Sequence, residues 1–321
     1  MRAIPRWVRG VFICVAALAA PAAQAWPDRP VRIVVPASAG TAPDAGARLI
    51  GERMAAALKQ PVIVDNRPGA GGVVAMNHVA SSRDDHTLLL VITSTIAIAP
   101  LTIKAAASFD YLRDLKPVVR LAQTPLMIVA NNDATGGLGA ALDRARREPG
   151  KVAFGTPPAS TMGALAVSWI GRSAGVQFNA VPFVRPSEAL AAVVSGDLQY
   201  HIDGISVALP FVRAGKVKAV AVLSDKKLQG LEAYPLGVDT LAGFEMVGRF
   251  GLMGTRELPT EAIASIQDAV QDALSHPDVV AKLTNLGLYP DFATADAYEE
   301  GLKDEREFWR GVVTTTGVSP D

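Results

Sequence analysis

The chain has 321 residues, and its 31 lysines and arginines balance 31 aspartates and glutamates, so that its formal net charge at pH 7 is zero. This balance of charge gives no electrostatic footprint for nucleic acid or for an anionic membrane surface. Aromatic residues make up only 6% of the chain, whereas alanine, valine, leucine and glycine are plentiful. This composition points to an α/β protein.

The first 25 residues are predicted to be a secretory signal that is removed from the mature protein. Three arginines precede an apolar run from Val11 to Ala20, and Ala23 and Ala25 fit the small-x-small rule for cleavage. Neither this run nor any later stretch reaches the roughly 18 apolar residues that a membrane span needs. The mature chain should therefore begin at Trp26, reach the periplasm, and lack Cys14, the single cysteine.

Strands and helices alternate from the start of the mature chain. Apolar runs of strand length occur at Val31–Val35, Val62–Val64 and Leu88–Ile92, each bounded by Pro, Gly, Asp or Asn. Between the first two runs, the residues Ala47, Ile50, Met54 and Leu58 recur at spacings of three and four, which predicts an amphipathic helix. Such alternation indicates parallel βαβ units.

The same alternation continues along the chain. Further strands are predicted at Leu126–Val129, Val152–Phe154, Leu198–Ile202 and Val217–Leu223, and helices at Ala140–Arg147, Met162–Arg172 and Ser187–Val194. Two apolar stripes at helical spacing follow, from Ile263 to Leu274 and from Tyr298 to Val313, ending near Pro277 and Gly317. The mature length suits two domains of ordinary size.

The junction between the first strand and the first helix is a candidate anion-binding loop. Thr41 and Asp44 stand where the helix starts, Gly40 precedes them, and the small side chains leave backbone N–H groups uncovered. A helix N-terminus with free N–H groups binds an anion without any positive side chain. The alternative is that Asp44 only caps the helix. A phosphate loop is excluded, because no lysine follows Gly46.

Other motifs give no catalytic or cofactor site. The glycine cluster at 66–72 lacks the third glycine of a dinucleotide fingerprint, because Val74 stands there, and is interpreted as a tight turn. The four histidines have no metal-ligand spacing, and no Gly-x-Ser-x-Gly elbow is present. The acidic cluster from Asp296 to Glu307 is interpreted as a solvated helix face. We therefore expect no catalytic residue, no metal and no cofactor.

Eight short segments, spread over the whole mature length, together form a family pattern. They are "WPDRPVRIVVPASAG…D…AR", "QPVIVDNRPGAGG", "TLLL…TST…A…P", "PGKVAFG", "VPF", "SGDLQYHIDG", "LPFVRAGKVKAVAV" and "FGLMG…LP". In this order the chain resembles the Bug family of extracytoplasmic solute receptors, the binding proteins of tripartite tricarboxylate transporters.

The resemblance implies a periplasmic binding protein type 2-like α/β fold, in which two domains enclose a ligand cleft and the chain crosses between them twice. Residues 26–124 and 225–321 would form one domain, and residues 125–224 the other. The resemblance also implies a monomer that captures a small carboxylate with backbone N–H groups, hydroxyls and waters, and delivers it to membrane permease subunits. Two alternatives are a receptor that signals to a membrane sensor and, less favoured, an enzyme that uses the same cleft.

The resemblance also assigns candidate ligand residues around the cleft. They are Ser38, Ala39, Gly40, Thr41 and Asp44 in the first loop, Ser94 and Thr95 in the "TST" segment, Thr156, Ser160 and Thr161 in "FGTPPASTMG", and Asp203 in "HIDG". For Ser94 and Thr95 the alternative is helix capping, and for Asp203 it is a turn before Gly204.

Arg249 is a departure from the family pattern, which has tryptophan at this position. It is expected either to contact an anionic ligand or to pair with a nearby acid. Further departures are Phe183, Val184 and Arg185 in place of Tyr-Lys-Gly, and Ile96 and Ala164 in place of histidines. They leave the identity of the ligand open.

Overall fold

The computed structural model describes residues 26–158 and 161–317. The predicted signal at 1–25 and the candidate ligand residue Ser160 lie outside the described residues. Within them strands and helices alternate, which confirms the α/β class. None of the described helices combines the length and the apolarity that a membrane crossing requires.

Ten strands form one mixed sheet in the described part of the chain. They are β1 (Val31–Val35), β2 (Val62–Asn66), β3 (Thr87–Ile92), β4 (Lys116–Ala130), β5 (Ala153–Thr156), β6 (Asn179–Pro182), β7 (Tyr200–Gly204), β8 (Lys218–Val222), β9 (Val247–Gly254) and β10 (Tyr289–Ala293). All seven predicted strands are present. Six have small changes in their bounds, whereas the strand predicted at Leu126–Val129 is only the last part of β4, which begins ten residues earlier at Lys116. Strands β6, β9 and β10 were not predicted.

The helices pack on both faces of this sheet. They are α1 (Ala42–Leu58), α2 (Val73–Ser81), α3 (Ala99–Thr102), α4 (Tyr111–Asp114), α5 (Leu138–Arg147), α6 (Met162–Ser173), α7 (Pro186–Ser195), α8 (Ile205–Arg213), α9 (Thr260–Ser275), α10 (Pro277–Asn285) and α11 (Ala295–Thr316). Every helix predicted from periodicity is present. The turn predicted at 66–72 contains a short 3₁₀ helix at Ala70–Gly72, and a π-helical turn, Ser94–Ile98, follows β3.

The strand order is β2-β1-β3-β9-β4-β7-β5-β6, and β10 and β8 also pair with β4. As expected, β1 is parallel to β2 and β3, and β5 is parallel to β6 and β7. In the middle of the sheet, however, β9 runs antiparallel to β3 and β4, and β4 runs antiparallel to β7. The expectation of parallel βαβ units is therefore correct for the two outer parts of the sheet and wrong for its centre.

Strand β4 belongs to both halves of the sheet. It pairs with β9 as far as the pair Pro125–Val247, and from Leu126 onwards it pairs with β7 and β8. Proline has no N–H to donate and is tolerated where ladder pairing is interrupted. Pro125 thus stands where the chain first crosses from one half to the other.

Three apolar clusters fill the faces of the sheet. The first packs α1 and α9 on β1 and β3, with Met54 fully buried. The second runs from Val34 in β1 to Phe154 in β5 beneath α11, whose Trp309 is 1% exposed. Because this cluster includes residues of both halves, it connects them. The third packs α7 and α8 against the second half of β4 around Met127.

The return crossing lies close to the first. Leu228, Leu231 and Leu236 pack in the cluster around Met127, and pairing with the first half resumes at Val247, where β9 begins. This packing favours position 247 over position 225 for the second crossing. The division of the chain into domains remains a proposal.

Candidate ligand-binding cleft

Two sets of strand ends converge where the chain crosses between the halves. The last residue of β3, Ile92, pairs with Phe250 near the start of β9. The last residue of β7, Gly204, pairs with Leu126, next to the crossing at Pro125. Since β1 is parallel to β3 and β5 to β7, both sets direct their carboxyl ends at the crossing, and the loops that follow them flank it. In open α/β sheets ligands bind beyond the carboxyl ends of strands.

The loop after β1 presents backbone donors. Gly40 has a φ of +81°, which glycine adopts without strain, and the hydroxyl of Thr41, the N-cap of α1, donates to the carbonyl of Ser38 at 2.7 Å. Ser38, Ala39 and Gly40 are exposed. Among the described residues, the N–H groups of Ser38, Ala39 and Ala42 have no acceptor. The loop therefore has the free donors that an anion site needs.

Asp44 lies buried beneath this loop. Its Oδ2 accepts the N–H of Gly40 at 2.9 Å, and its Oδ1 accepts from Nδ2 of Asn66 at 3.0 Å and lies 2.9 Å from Nη2 of Arg48. Burial raises the pKa of Asp44, but these three contacts outweigh burial and hold the pKa below its ordinary value. Because Gly40 precedes the N-cap Thr41, Asp44 fastens the loop to the first turn of α1 and accepts no N–H group of the helix itself, so that the capping alternative in its strict form is not observed. A direct contact between Asp44 and a ligand remains a prediction.

The hydroxyls predicted after β3 differ in exposure. Ser94 is exposed, whereas Thr95 is 4% exposed. A Cβ added to Gly72 would lie 2.3 Å from Cγ2 of Thr95, so that the loop packs directly on the backbone there. Both residues belong to the π-helical turn, and such turns are frequent at functional sites.

Thr93 anchors the same loop to distant parts of the chain. Its hydroxyl donates to Oε1 of Glu305 at 2.7 Å and accepts the backbone N–H of Arg249 at 2.7 Å. Burial raises the pKa of Glu305, although Arg249 and Thr93 oppose the increase. Glu305 was assigned to a solvated helix face, and this is wrong, because its side chain is 4% exposed and points at β3 and β9.

Arg249 is engaged by two acids. Its Nη2 lies 2.7 Å from Oε1 of Glu245, and its Nη1 lies 3.4 Å from Oε1 of Glu305. Burial lowers the pKa of Arg249, but the negative charges of Glu305, Glu245 and Asp291 outweigh burial and hold the pKa above its ordinary value. The side chain also lines a cavity of about 310 Å³ beside Trp309 of α11. This is the acid-paired alternative, and contact between Arg249 and a ligand remains a prediction.

The loop after β5 repeats the turn found after β1. Thr161 is the N-cap of α6, and its hydroxyl donates to the carbonyl of Pro158 at 2.7 Å, as Thr41 does to Ser38. The hydroxyl of Thr161 also accepts the N–H of Ala164 at 3.4 Å. Thr156 is buried at the end of β5.

Asp203 lies at the end of the neighbouring strand β7. Its Oδ1 accepts the N–H of Gly204 at 2.7 Å, and its Oδ2 lies 3.3 Å from Nε2 of His201. The other ring nitrogen of His201, Nδ1, lies 2.9 Å from the carbonyl oxygen of Gly155. The contact with Gly204 agrees with the turn alternative, and the position at the strand end agrees with the cleft alternative.

Among the described residues, one group of side chains brings three potential metal-ligand atoms together. Asp84, Asp85 and His86 place their ligand atoms within 4.8 Å of one another. Arg29 already lies 2.9 Å from Asp84 and 2.7 Å from Asp85, and the indole of Trp26 packs on the imidazole of His86 at a centroid distance of 5.3 Å. We interpret the group as an ion-pair cluster that fastens the start of the predicted mature chain.

The sequence analysis did not assign Arg48, Asn66, His201 or Glu305 to the candidate site. Arg48 could have been found, because it follows Asp44 by four residues and faces it on the helix. His201 alternates with Asp203 along β7, so that both point to the same face of the sheet, and this pairing was also readable. Glu305 contacts a residue 212 positions away, for which the sequence gives no local pattern.

Two sheet halves, between which the chain crosses in β4 and again just before β9, carry donor-rich loops that flank the crossings and define an α/β fold of the periplasmic-binding-protein class. A TctC solute binding protein from Polaromonas has this fold, with a TM-score of 0.80 at 21% identity over 90% of this chain and 99% of that chain. Residues 46–318 match the family TctC, described as "Tripartite tricarboxylate transporter family receptor", and the chain belongs to that family.

Relatives with higher identity extend over almost the whole chain. Protein BugT of Bordetella pertussis is 30% identical over 316 residues, which cover 97% of each chain. An R. palustris protein solved with adipate is 26% identical, with a TM-score of 0.76 over 92% of this chain and all of its own. MatC from Rhodopseudomonas palustris, with bound malate, is 28% identical, with a TM-score of 0.71 over 90% of this chain and all of its own. The recognition of the Bug family from the sequence is thus confirmed.

Proposed function

We propose that the protein is a periplasmic solute-binding receptor that captures a small carboxylate between its two halves and delivers it to membrane permease subunits of a tripartite tricarboxylate-type transporter. The observation that supports this most is the pair of matching loops. Each follows a parallel strand, is closed by a threonine hydroxyl on the carbonyl three residues earlier, and leads into a helix N-terminus. A helix N-terminus with free N–H groups favours an anion.

Two such loops suit a ligand with two anionic groups. The relatives solved with adipate and with malate hold dicarboxylates, which agrees with one anion site on each side of the crossing. The ligand residues predicted in these loops would act largely through backbone N–H groups, with Ser94, Thr95 and Thr156 adding hydroxyls. Ser160 and Thr161 belong to the same proposal.

The two crossings suggest how the cleft closes. Chain segments pass between the halves only a short distance apart, at Pro125 in β4 and at Val247 in β9, which pair with each other. Two adjacent crossing strands can act as a hinge for the rigid-body closure that binding proteins undergo. Small-angle scattering should show a smaller radius of gyration when ligand is added.

A thermal melt screen of mono-, di- and tricarboxylates tests the ligand class. A ligand at 100 times its dissociation constant adds about 2.7 kcal/mol to the free energy of unfolding, which a melt resolves. Nucleotides and cationic solutes should give no shift. The proposal is refuted if no carboxylate stabilises the protein and an uncharged solute does. Co-purification with membrane proteins would distinguish a permease partner from a sensor.

A matched pair of variants tests the helix N-terminus itself. Met162 is the first residue of α6, where proline is well tolerated, so that Met162→Pro removes one backbone N–H and leaves the helix intact. Met162→Ala also loses the side chain but keeps that N–H. We expect Met162→Pro to bind the carboxylate found in the screen roughly tenfold more weakly than Met162→Ala, the scale of one hydrogen bond to a charged group. Equal affinities would exclude this N–H from the site.

A further inference from the structure

A buried histidine at the end of β7 faces two acceptors. His201 is 1% exposed, and its Nδ1 lies 2.9 Å from the carbonyl oxygen of Gly155. A carbonyl oxygen only accepts, so that Nδ1 must carry a proton. Its Nε2 lies 3.3 Å from Oδ2 of Asp203. The imidazole thus lies within hydrogen-bonding distance of the Asp203 carboxylate and restricts its position at the strand end.

The carboxylate of Asp203 has acceptor capacity to spare. Its two oxygens offer about four lone-pair sites. The N–H of Gly204 uses one site and His201 a second. The side chain is 14% exposed, at the carboxyl end of β7 where the loops flank the crossing. A ligand hydroxyl or ammonium group can therefore donate to it, whereas a ligand carboxylate cannot.

Resting on the proposed function, we propose that Asp203 binds a hydrogen-bond donor on the ligand. The preferred ligands are then carboxylic acids that carry a hydroxyl or ammonium substituent, rather than the unsubstituted acids. The helix N-termini hold the ligand's carboxylates, and Asp203 discriminates between ligands by the group on the carbon chain. His201 is the positioning residue of this pair, because it fixes the carboxylate and does not itself reach the ligand.

The selectivity follows from what each acid does to Asp203. An acid without a donor leaves the remaining acceptor sites of the Asp203 carboxylate empty once the cleft closes over it, and brings its own negative charges close to that carboxylate. An acid with a donor gains a hydrogen bond to a charged group. One such bond changes a dissociation constant by about tenfold or more.

Succinate, malate and aspartate test this directly, because they share a four-carbon dicarboxylate chain and differ in one substituent. Calorimetric titration of the mature protein should give a dissociation constant for malate or aspartate at least about tenfold below that for succinate. The selectivity ratio is the dissociation constant for succinate divided by that for malate or aspartate. In Asp203→Asn this selectivity ratio should fall to near one, because the amide no longer attracts a donor as a carboxylate does. Asp197→Asn, which removes an exposed carboxylate on the same half, should leave the ratio unchanged.

The positioning role of His201 has a separate measurement. His201→Phe keeps a ring in the buried site but cannot bond to the carbonyl of Gly155 or to the carboxylate of Asp203. The variant should bind malate more weakly and succinate with unchanged affinity, so that its preference for malate over succinate is reduced. A purely structural role would weaken both acids equally. If His201→Phe does not fold, the Asp203→Asn ratio still decides the question.

The outcomes separate the two proposals. Binding of succinate or adipate at least as tight as that of malate and aspartate would overturn this inference and leave the receptor function intact. A preference for malate that persists in Asp203→Asn would also overturn it, because another group must then bind the donor. Failure of every carboxylate in the screen would overturn both.

Discussion

Replacing Arg249 by methionine should reveal how the buried charge of Glu305 is maintained. In the native protein Oε1 of Glu305 accepts from Thr93 and lies 3.4 Å from Nη1 of Arg249. Arg249→Met keeps most of the apolar stem and removes the positive charge. Glu305 is then left with one neutral hydrogen bond in a site where its side chain is 4% exposed.

The size of the effect is limited by protonation. An unpaired buried carboxylate costs several kcal/mol, but Glu305 can avoid this cost by binding a proton. Protonating a glutamate with an ordinary pKa of about 4.3 costs about 3.7 kcal/mol at pH 7 and about 1 kcal/mol at pH 5. The loss of unfolding free energy in Arg249→Met should therefore be up to about 3.7 kcal/mol at pH 7 and about 1 kcal/mol or less at pH 5.

The sign follows from the raised pKa. Folded Glu305 holds a proton more tightly than the unfolded chain does, so that stability increases as the pH falls through the folded pKa. Urea unfolding of the ligand-free protein at pH 7, 6 and 5, followed by circular dichroism, measures this difference. Arg310→Met, which removes an exposed partner of Glu307 on the same helix, should leave stability unchanged. An equal loss for Arg249→Met at every pH, or no loss at pH 7, would refute the reasoning.

Three further predictions concern other parts of the chain. Asp44→Asn should lower the unfolding free energy at pH 7 by roughly 1–3 kcal/mol, and because the pKa of Asp44 is lowered on folding, urea unfolding should show this difference disappearing as the pH falls through the folded pKa. Gly72→Ala should displace Thr95 and weaken ligand binding, as measured by calorimetry. The control Gly175→Ala, also at positive φ but with open space around it, should lose stability only through backbone strain and keep its affinity for the ligand. Intact mass of the exported protein should show Trp26 as the first residue, and an uncleaved or lipid-modified species would contradict the predicted signal.

The sequence predicted elements with regular apolar spacing and missed those that depend on their neighbours. Strand β9 contains Gly248, Arg249 and Gly251, a poor strand sequence by propensity. It is a strand because β3 and β4 bond to it from both sides. Helix α8 was missed for a similar reason, since Pro210 lies inside it and proline is usually a helix breaker.

The same distinction separates the predicted from the unpredicted parts of the cleft. The loop from Ser38 to Asp44 is made by contacts between residues close in sequence, so that its helix start, its glycine and its candidate donors could be predicted. The anchoring of Thr93 by Glu305 joins residues 212 positions apart. Only the packing of α11 on β4 and on the π-helical turn after β3 brings them together, and no local pattern indicates this.

Arg48 explains how the loop after β1 can attract an anion while the carboxylate of Asp44 lies beneath it. Two carboxylates about 4 Å apart near a protein surface repel each other by about 4 kcal/mol, and a helix N-terminus attracts an anion by only about 0.3–1 kcal/mol. Alone, the repulsion would exceed the attraction. The guanidinium of Arg48, 2.9 Å from Oδ1 of Asp44, offsets the buried charge from the side away from the loop tip. The proposed anion loop can therefore do without a basic residue at its tip, because Arg48 acts on the buried carboxylate of Asp44 instead of on the ligand.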